Sequence, residues 1–373
     1  MRVLIALDSF KDSLSSAAAC QAVARGFDKA GFSSKILPIS DGGEGFLACI
    51  KGQKEGSILH EIPCLDAYLK PQVASILLHE DSCYIECAQF IGLERVALND
   101  RRVQDASSHP LSLALKEGKR LGAKRFVIGL GGSATNDLGA GFLQGLGAVF
   151  YGEQGEIKSP ICGKDLLNIK SIDLGRMQRD FGEVYLACDV ENPLTGPNGA
   201  SHIYARQKGA NDGDIELLER GIMHLEQLLN AAFGKSPGQE PGSGAAGGLG
   251  AAFFYAFDAK KCAALDILGA AEALEDVDLL ITGEGRVDKS TIKGGKAPLA
   301  LARLAKAKKV PAIALCGSLE LDLAGLCELE REGLGAAFSI VSGPMELAQA
   351  LHRALDLLEL SAFNLARSLR LLG

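Results

Sequence analysis

Asp278-Leu279-Leu280-Ile281-Thr282-Gly283-Glu284-Gly285-Arg286-Val287-Asp288 decides how this chain folds. An apolar run of strand length ends at Thr282-Gly283, and carboxylates, glycine and a guanidinium follow at once. Beyond Lys289-Ser290-Thr291-Ile292-Lys293-Gly294-Gly295-Lys296, the residues from Ala297 to Ala307 have helical spacing, with Pro298 in the first turn. Val310 to Leu315 is apolar and β-rich again. Strand, helix and strand in that order form a crossover unit, which requires parallel pairing. Ala336 to Val341 reads as one more strand, and the chain ends in helix. The N-terminus has the same rhythm: a strand from Val3 to Leu7, a helix capped by Ser13 and ending at Gly31, a strand from Lys35 to Ile39, and a helix opened by Asp41. Both ends are therefore expected to contribute to one parallel sheet.

Between them the texture changes. Ser57–Cys64, Gln72–Leu78 and Ser82–Ala88 are strand-like runs with no helix between them, the pattern of an antiparallel or mixed sheet. From Pro110 strand and helix alternate again. The expected architecture is α/β in two domains. A doubly wound parallel-sheet domain comes from residues 1–57 and 260–373, and a mixed-sheet α/β domain of residues 58–259 interrupts it.

Bulk composition narrows the function. Of 373 residues 45 are glycine, while 47% are hydrophobic, which excludes low-complexity disorder. A net charge of −7 argues against nucleic acid as partner. No apolar stretch reaches the ~20 residues of a membrane span. Asp8, Lys11 and Asp12 cut short the apolar start that would otherwise resemble a signal peptide, so a cytoplasmic protein is expected. The ten cysteines read as free, mostly buried thiols. Cys83 and Cys87, placed on one face of a strand, are the nearest approach to a metal pair.

Candidate chemistry clusters where apolar strands end, the place where open parallel sheets bind ligands. Asp8 and Lys11 follow the first strand; one suits Mg2+ or a substrate hydroxyl, the other a phosphate. Asp41 and Glu44 flank Gly42-Gly43 and precede Gly45. They read either as a capping box or as a ligand-facing helix start whose glycines admit close approach. Gly129-Leu130-Gly131-Gly132-Ser133-Ala134-Thr135-Asn136-Asp137 leaves a strand as an anion cradle of bare N–H groups and hydroxyls, with a helix N-terminus expected behind it. No Gly-Lys-Ser/Thr completes a P-loop there. Asp189 ends the strand Glu183–Cys188, and a stiff loop through Asn192-Pro193 and Gly196-Pro197 follows. In the opening stretch Arg286, Lys293 and Lys296 suit phosphate oxygens, and Glu284 and Asp288 suit magnesium. A helix cap accounts for Asp41 and Glu44 equally well, and mixed-charge loops, turns and caps are the structural alternatives for the others. Gly242-Ser243-Gly244-Ala245-Ala246-Gly247 matches a dinucleotide fingerprint only in letters, since Ser236 to Pro241 cannot be the strand that must precede it. It reads as close packing or a nucleotide-side loop. Serine–histidine hydrolysis has no support, because no nucleophile elbow is present. The loops suit phosphoryl transfer instead.

Asp8 to Leu14, Pro38 to Gly45, Gly129 to Gly141, Cys188 to Leu194 and Thr282 to Thr291 together resemble, in order and over nearly the whole chain, the bacterial glycerate kinase family. That resemblance implies ATP-dependent, Mg2+-assisted phosphorylation of D-glycerate to 2-phosphoglycerate, or to 3-phosphoglycerate in members described as 3-kinases. It also implies a flavodoxin-like domain interrupted by a second one, with the site in the cleft between them. The roles of single residues follow from their own chemistry and place in the loops. Gly131, Gly132, Ser133, Thr135, Asn136 and Gly283 are expected to meet ATP, and Asp41, Glu44 and Asn192 the substrate. Asp189, Asp8, Lys11, Arg286 and Lys293 are expected to be catalytic, and Asp189, Glu284 and Asp288 to hold the metal. Two rival readings are a GHMP-type small-molecule kinase, which also uses a glycine–serine loop, and a binding protein for small acids without ATP turnover.

Overall fold

In the computed structural model of the protein, residues 1–294 and 296–372 are described, Ser290, Lys293 and Leu372 by their backbone alone. The chain forms two compact units, one from Met1–Asp41, Ala48–Glu55 and Ala263–Gly373, the other from Gly42–Leu47 and Gly56–Cys262.

The first unit is built on a five-stranded, wholly parallel sheet. Across it run Ser34–Ile36, Val3–Leu7, Leu279–Gly283, Ala312–Cys316 and Leu334–Ser339. Numbered by their order in the chain, these strands lie 2-1-3-4-5, the flavodoxin-like arrangement. Val3–Leu7 and Leu279–Gly283 are buried along their whole length, which is why they read as unbroken apolar runs. Helix Ser16–Lys29 packs on helix Ala354–Leu372 through Phe27, Leu358, Ala362 and Ala366. Gly26 allows the approach, because a Cβ there would lie 2.5 Å from the carbonyl oxygen of Glu359.

Local boundaries depart from the sequence reading in three places. Ser15, not Ser13, caps the first helix, its hydroxyl accepting from the Ala18 amide at 3.3 Å. Phe10 to Leu14 closes a tight turn with Asp12 at φ +60°, and the Ser13 hydroxyl donates instead to the carbonyl of Leu351 at 2.7 Å. The second strand is Ser34–Ile36, although Leu37 and Ile39 still donate to the first strand at 2.9 and 3.3 Å. Asp41 opens no helix. A turn with Gly42 and Gly45 at positive φ comes first, and the helix is Phe46–Gln53.

The second unit holds a six-stranded mixed sheet, in the order Lys260–Cys262, Glu183–Ala187, Arg125–Gly129, Ser82–Glu86, Pro71–His79, Ile58–Leu65. Pairing is parallel as far as Ser82–Glu86 and antiparallel beyond it. Cys87 begins a short helix, so it does not share a strand face with Cys83 as expected. The core gathers Phe126, Phe142, Phe150 and Phe253, with the rings of Phe142 and Phe253 4.7 Å apart. No described helix is long and apolar enough to cross a membrane.

Candidate active site

In the first unit the register pairs Leu7 with Gly283, so the chain leaves both strands side by side, where the strand order reverses. Asp8 donates its amide to the Gly283 carbonyl at 2.8 Å, and its carboxylate accepts from the Ser9 amide at 2.6 Å. Gly283 is required there, since a Cβ would lie 1.8 Å from the carbonyl oxygen of Leu315. Glu284 follows, 7% exposed, accepting from the Thr291 hydroxyl at 3.0 Å and paired with the Lys296 ammonium at 2.8 Å. Burial holds the Glu284 carboxyl above the usual carboxylate range despite Lys296 and Thr291, and Asp288 adds to the rise. Asp8 is raised further, first by burial, then by the charges of Asp41 and Glu284. Asp8, Asp41, Glu284 and Lys296 thus form one electrostatic cluster.

Arg286 lies at its rim, 2.9 Å from Asp288 and 2.7 Å from Glu320, with all three side chains solvent-accessible to some degree. Lys11 and Asp41 are exposed on the same unit. The side chain of Lys293 lies outside the described residues. Among the described residues no three His, Cys, Asp or Glu stand together as a ready-made metal site.

In the second unit, Arg125–Gly129 and Glu183–Ala187 are neighbours in register, Gly129 opposite Ala187, so their loops also leave side by side. The Gly131 amide donates to the Gly42 carbonyl at 3.1 Å, and a Cβ on Gly131 would lie 2.3 Å from the Cα of Gly43. Gly42, at φ +88°, sits against the carbonyl oxygen of Ala187. These glycines let one backbone pack on another, a role that the reading by ligand approach had not separated out. Buried Glu86 accepts from the Leu47 amide at 3.0 Å and fixes the far end of that turn. Glu44 lies beside Gly132, whose added Cβ would be 3.5 Å from Glu44 Cγ.

Gly131 and Gly132 are accessible, whereas Ser133, Thr135 and Asn136 are at most 4% exposed. The next helix, Ala140–Gly145, begins only after Asp137 and Gly139, so the helix N-terminus expected directly behind the loop is absent. Asp137 organises the turn in its place, accepting from the Ser108 amide at 2.8 Å, the Ser108 hydroxyl at 2.7 Å and the Gly139 amide at 3.0 Å. The Asn136 amide group donates to Ser201 at 3.1 Å. Asn192 stiffens its own loop, donating to the Asn198 carbonyl at 2.9 Å and accepting from Tyr204 at 2.6 Å. Asp189, half-buried, starts that loop.

The glycine stretch near residue 244 also finds its place. Ala246, Gly247 and Gly248 all take positive φ, and added Cβ atoms would lie 2.2 Å from the Pro193 carbonyl oxygen at Gly244 and 2.1 Å from the Thr135 carbonyl oxygen at Gly247. The stretch is a close-packed backbone brace between the loops that carry Asn192 and Thr135, the first of the two readings offered by the sequence.

A model of the glycerate kinase family matches residues 3–370. The chain belongs to the glycerate kinase family. It is 35% identical to a glycerate kinase of Bacillus subtilis (strain 168), covering 100% of this chain and 98% of that one. It is 33% identical to glycerate 2-kinase of Escherichia coli (strain K12), covering 99% and 98%. A crystal structure from Salmonella typhimurium LT2, of a protein assigned as a glycerate kinase 2, superposes with a TM-score of 0.82 at 32% identity, covering 99% of this chain and 98% of that chain. Membership of this family of phosphotransferases, together with the 2-1-3-4-5 sheet, rules out the GHMP-type reading.

Proposed function

We propose that this glycerate kinase family member transfers the γ-phosphoryl group of ATP to D-glycerate, giving 2-phosphoglycerate. The carrying observation is the cluster of Asp8, Asp41, Glu284 and Lys296 at the strand-order reversal of a flavodoxin-like sheet. The charges there suit a reaction in which the protein chiefly positions groups and stabilises charge. Burial and the neighbouring carboxylates raise the Asp8 carboxyl, which gives it more affinity for the glycerate hydroxyl proton than an ordinary carboxylate has. Asp189 is the second candidate for that task.

Lys11 and Arg286 face the transferring group and the glycerate carboxylate, with Lys293 as a further candidate. Asp41, Glu44 and Asn192 border the substrate, while Gly131–Asn136 and Gly283 border the nucleotide. Oxygen donors fit Mg2+, which binds through one or two carboxylates together with substrate phosphates. Asp189, Glu284 and Asp288 are those donors, and the metal would share Glu284 with Lys296 and Asp288 with Arg286. When bound, Mg2+ neutralises charge on the β- and γ-phosphates. The reading also takes the two units as domains, the first discontinuous.

One assay tests it: ATP, Mg2+ and D-glycerate, with enolase added as the only further enzyme. Phosphoenolpyruvate formed without a mutase supports the 2-phosphate. ATP consumption that yields phosphoenolpyruvate only once a mutase is added points to the 3-phosphate. No ATP consumption leaves the acid-binding reading.

A further inference from the structure

Lys208 played no part in the sequence reading, yet its side chain lies beneath the loop Gly131–Asn136. It is 3% exposed at the end of the short turn Arg206–Lys208. Its ammonium donates to the Ser133 hydroxyl oxygen at 3.1 Å and to the Thr135 carbonyl oxygen at 2.7 Å. Among the described residues no carboxylate forms an ion pair with it. Asp137 is the charged group that faces it, and its carboxylate is occupied by Ser108 and the Gly139 amide. The other titratable side chains on adjoining segments face elsewhere: His202 towards Glu219, Arg206 towards Asp212, and Arg101 towards the Gln207 carbonyl. Lone buried ammonium groups are costly. Two buried acceptors close by, Thr135 Oγ1 and Asn136 Oδ1, have no hydrogen-bond partner. The pocket is polar and under-satisfied, and Asp137 faces the Lys208 amine without forming an ion pair with it.

We propose that Lys208 is the positioning residue of the nucleotide loop, a buried amine that orients Ser133 and becomes the counter-charge of an ATP phosphate when the nucleotide arrives. The inference rests on the assignment of Gly131–Asn136 to ATP. Because Ser133 Oγ accepts from Lys208, its own proton is free to point to another acceptor, which fits a phosphate oxygen. Burial brings the Lys208 ammonium down to about 7 from its ordinary 10.5. At pH 8 the free protein therefore holds it mostly neutral, and an incoming anion draws a proton onto it.

The test is calorimetric titration of the full-length protein with MgATP at pH 8 in buffers of different ionisation enthalpy, alongside KM for each substrate. The parent should take up a fraction of a proton per ATP and Lys208→Met none, with KM for ATP raised roughly tenfold or more and kcat changed less. Ser133→Ala should raise KM for ATP yet keep the proton uptake, and Lys208→Arg should restore affinity without uptake. No proton uptake by the parent overturns the proposal even if Lys208→Met does not fold. If Ser133→Ala moves KM for ATP while Lys208→Met changes neither KM nor uptake, the role of Lys208 alone falls. If neither substitution moves KM for ATP, the assignment of the loop to ATP falls with it.

Discussion

The loops after Leu279–Gly283 and after Arg125–Gly129 look alike as sequence, each an apolar strand running into glycines and polar residues, but they are built in opposite ways. The first pairs its charges with one another, accessible Arg286 with Asp288 and Glu320, and half-buried Lys296 with buried Glu284. The second turns Ser133, Thr135 and Asn136 inward and sets a buried lysine under them. One loop carries its cations and carboxylates in ion pairs. The other carries buried polar groups, and Gly129 and Gly131 there are needed for packing against the Gly42–Gly43 backbone. A strand-to-glycine signature marks the end of a parallel strand, but it does not say which of these two arrangements stands there.

Substitutions sharpen the contrast. The largest effect is expected at Asp189, where Asp189→Asn should lower kcat at least ~100-fold with the fold intact. Near-normal turnover, with unchanged circular dichroism, removes that residue from the chemistry. Gly131→Ala comes next. Its Cβ would lie 2.3 Å from the Gly43 Cα, so backbone must shift, and unfolding in urea should show a loss of about 2 kcal/mol. An unchanged midpoint would mean that the packing there is slack.

Asp8→Asn separates function from stability. A carboxyl whose folded pKa lies above its unfolded value contributes stability at low pH, and that contribution is lost as pH rises through the folded pKa. At neutral pH the charged form is a burden, so Asp8→Asn should raise Tm by about 2 °C while turnover drops. A lowered Tm contradicts the electrostatic reading of the cluster. Lys208 has the reverse sign: its folded value is depressed, so its contribution to stability should grow as pH rises from about 7 towards 10.5, a slope that Lys208→Met removes. The smallest effect belongs to Glu320→Gln, which breaks a solvent-exposed pair with Arg286 and should cost no more than about 0.5 kcal/mol.

The sheets were legible because fully buried strands leave unbroken runs such as Leu279 to Ile281, and because a crossover helix forces parallel pairing. The cap at Ser15 was not, since Ser13 has the same capping chemistry and only the left-handed turn at Asp12 decides between them. The brace around Gly244 and Gly247 was legible only as an excess of glycine. Its reason is contact with Pro193 and Thr135, far away in the chain. Lys208 gave no signal at all. A lysine in Arg206-Gln207-Lys208-Gly209 looks solvated, and only the fold brings it under Ser133. Lys293 was named from the sequence, but its side chain lies outside the described residues.

Phosphorus NMR of the reaction with ATP, Mg2+ and D-glycerate tests most directly the proposed transfer of phosphoryl to the 2-hydroxyl of glycerate. The γ-phosphate signal of ATP should be replaced by a phosphomonoester split into a doublet by the single proton on carbon 2. A triplet, from the two protons of carbon 3, or an ATP spectrum that does not change, would contradict it.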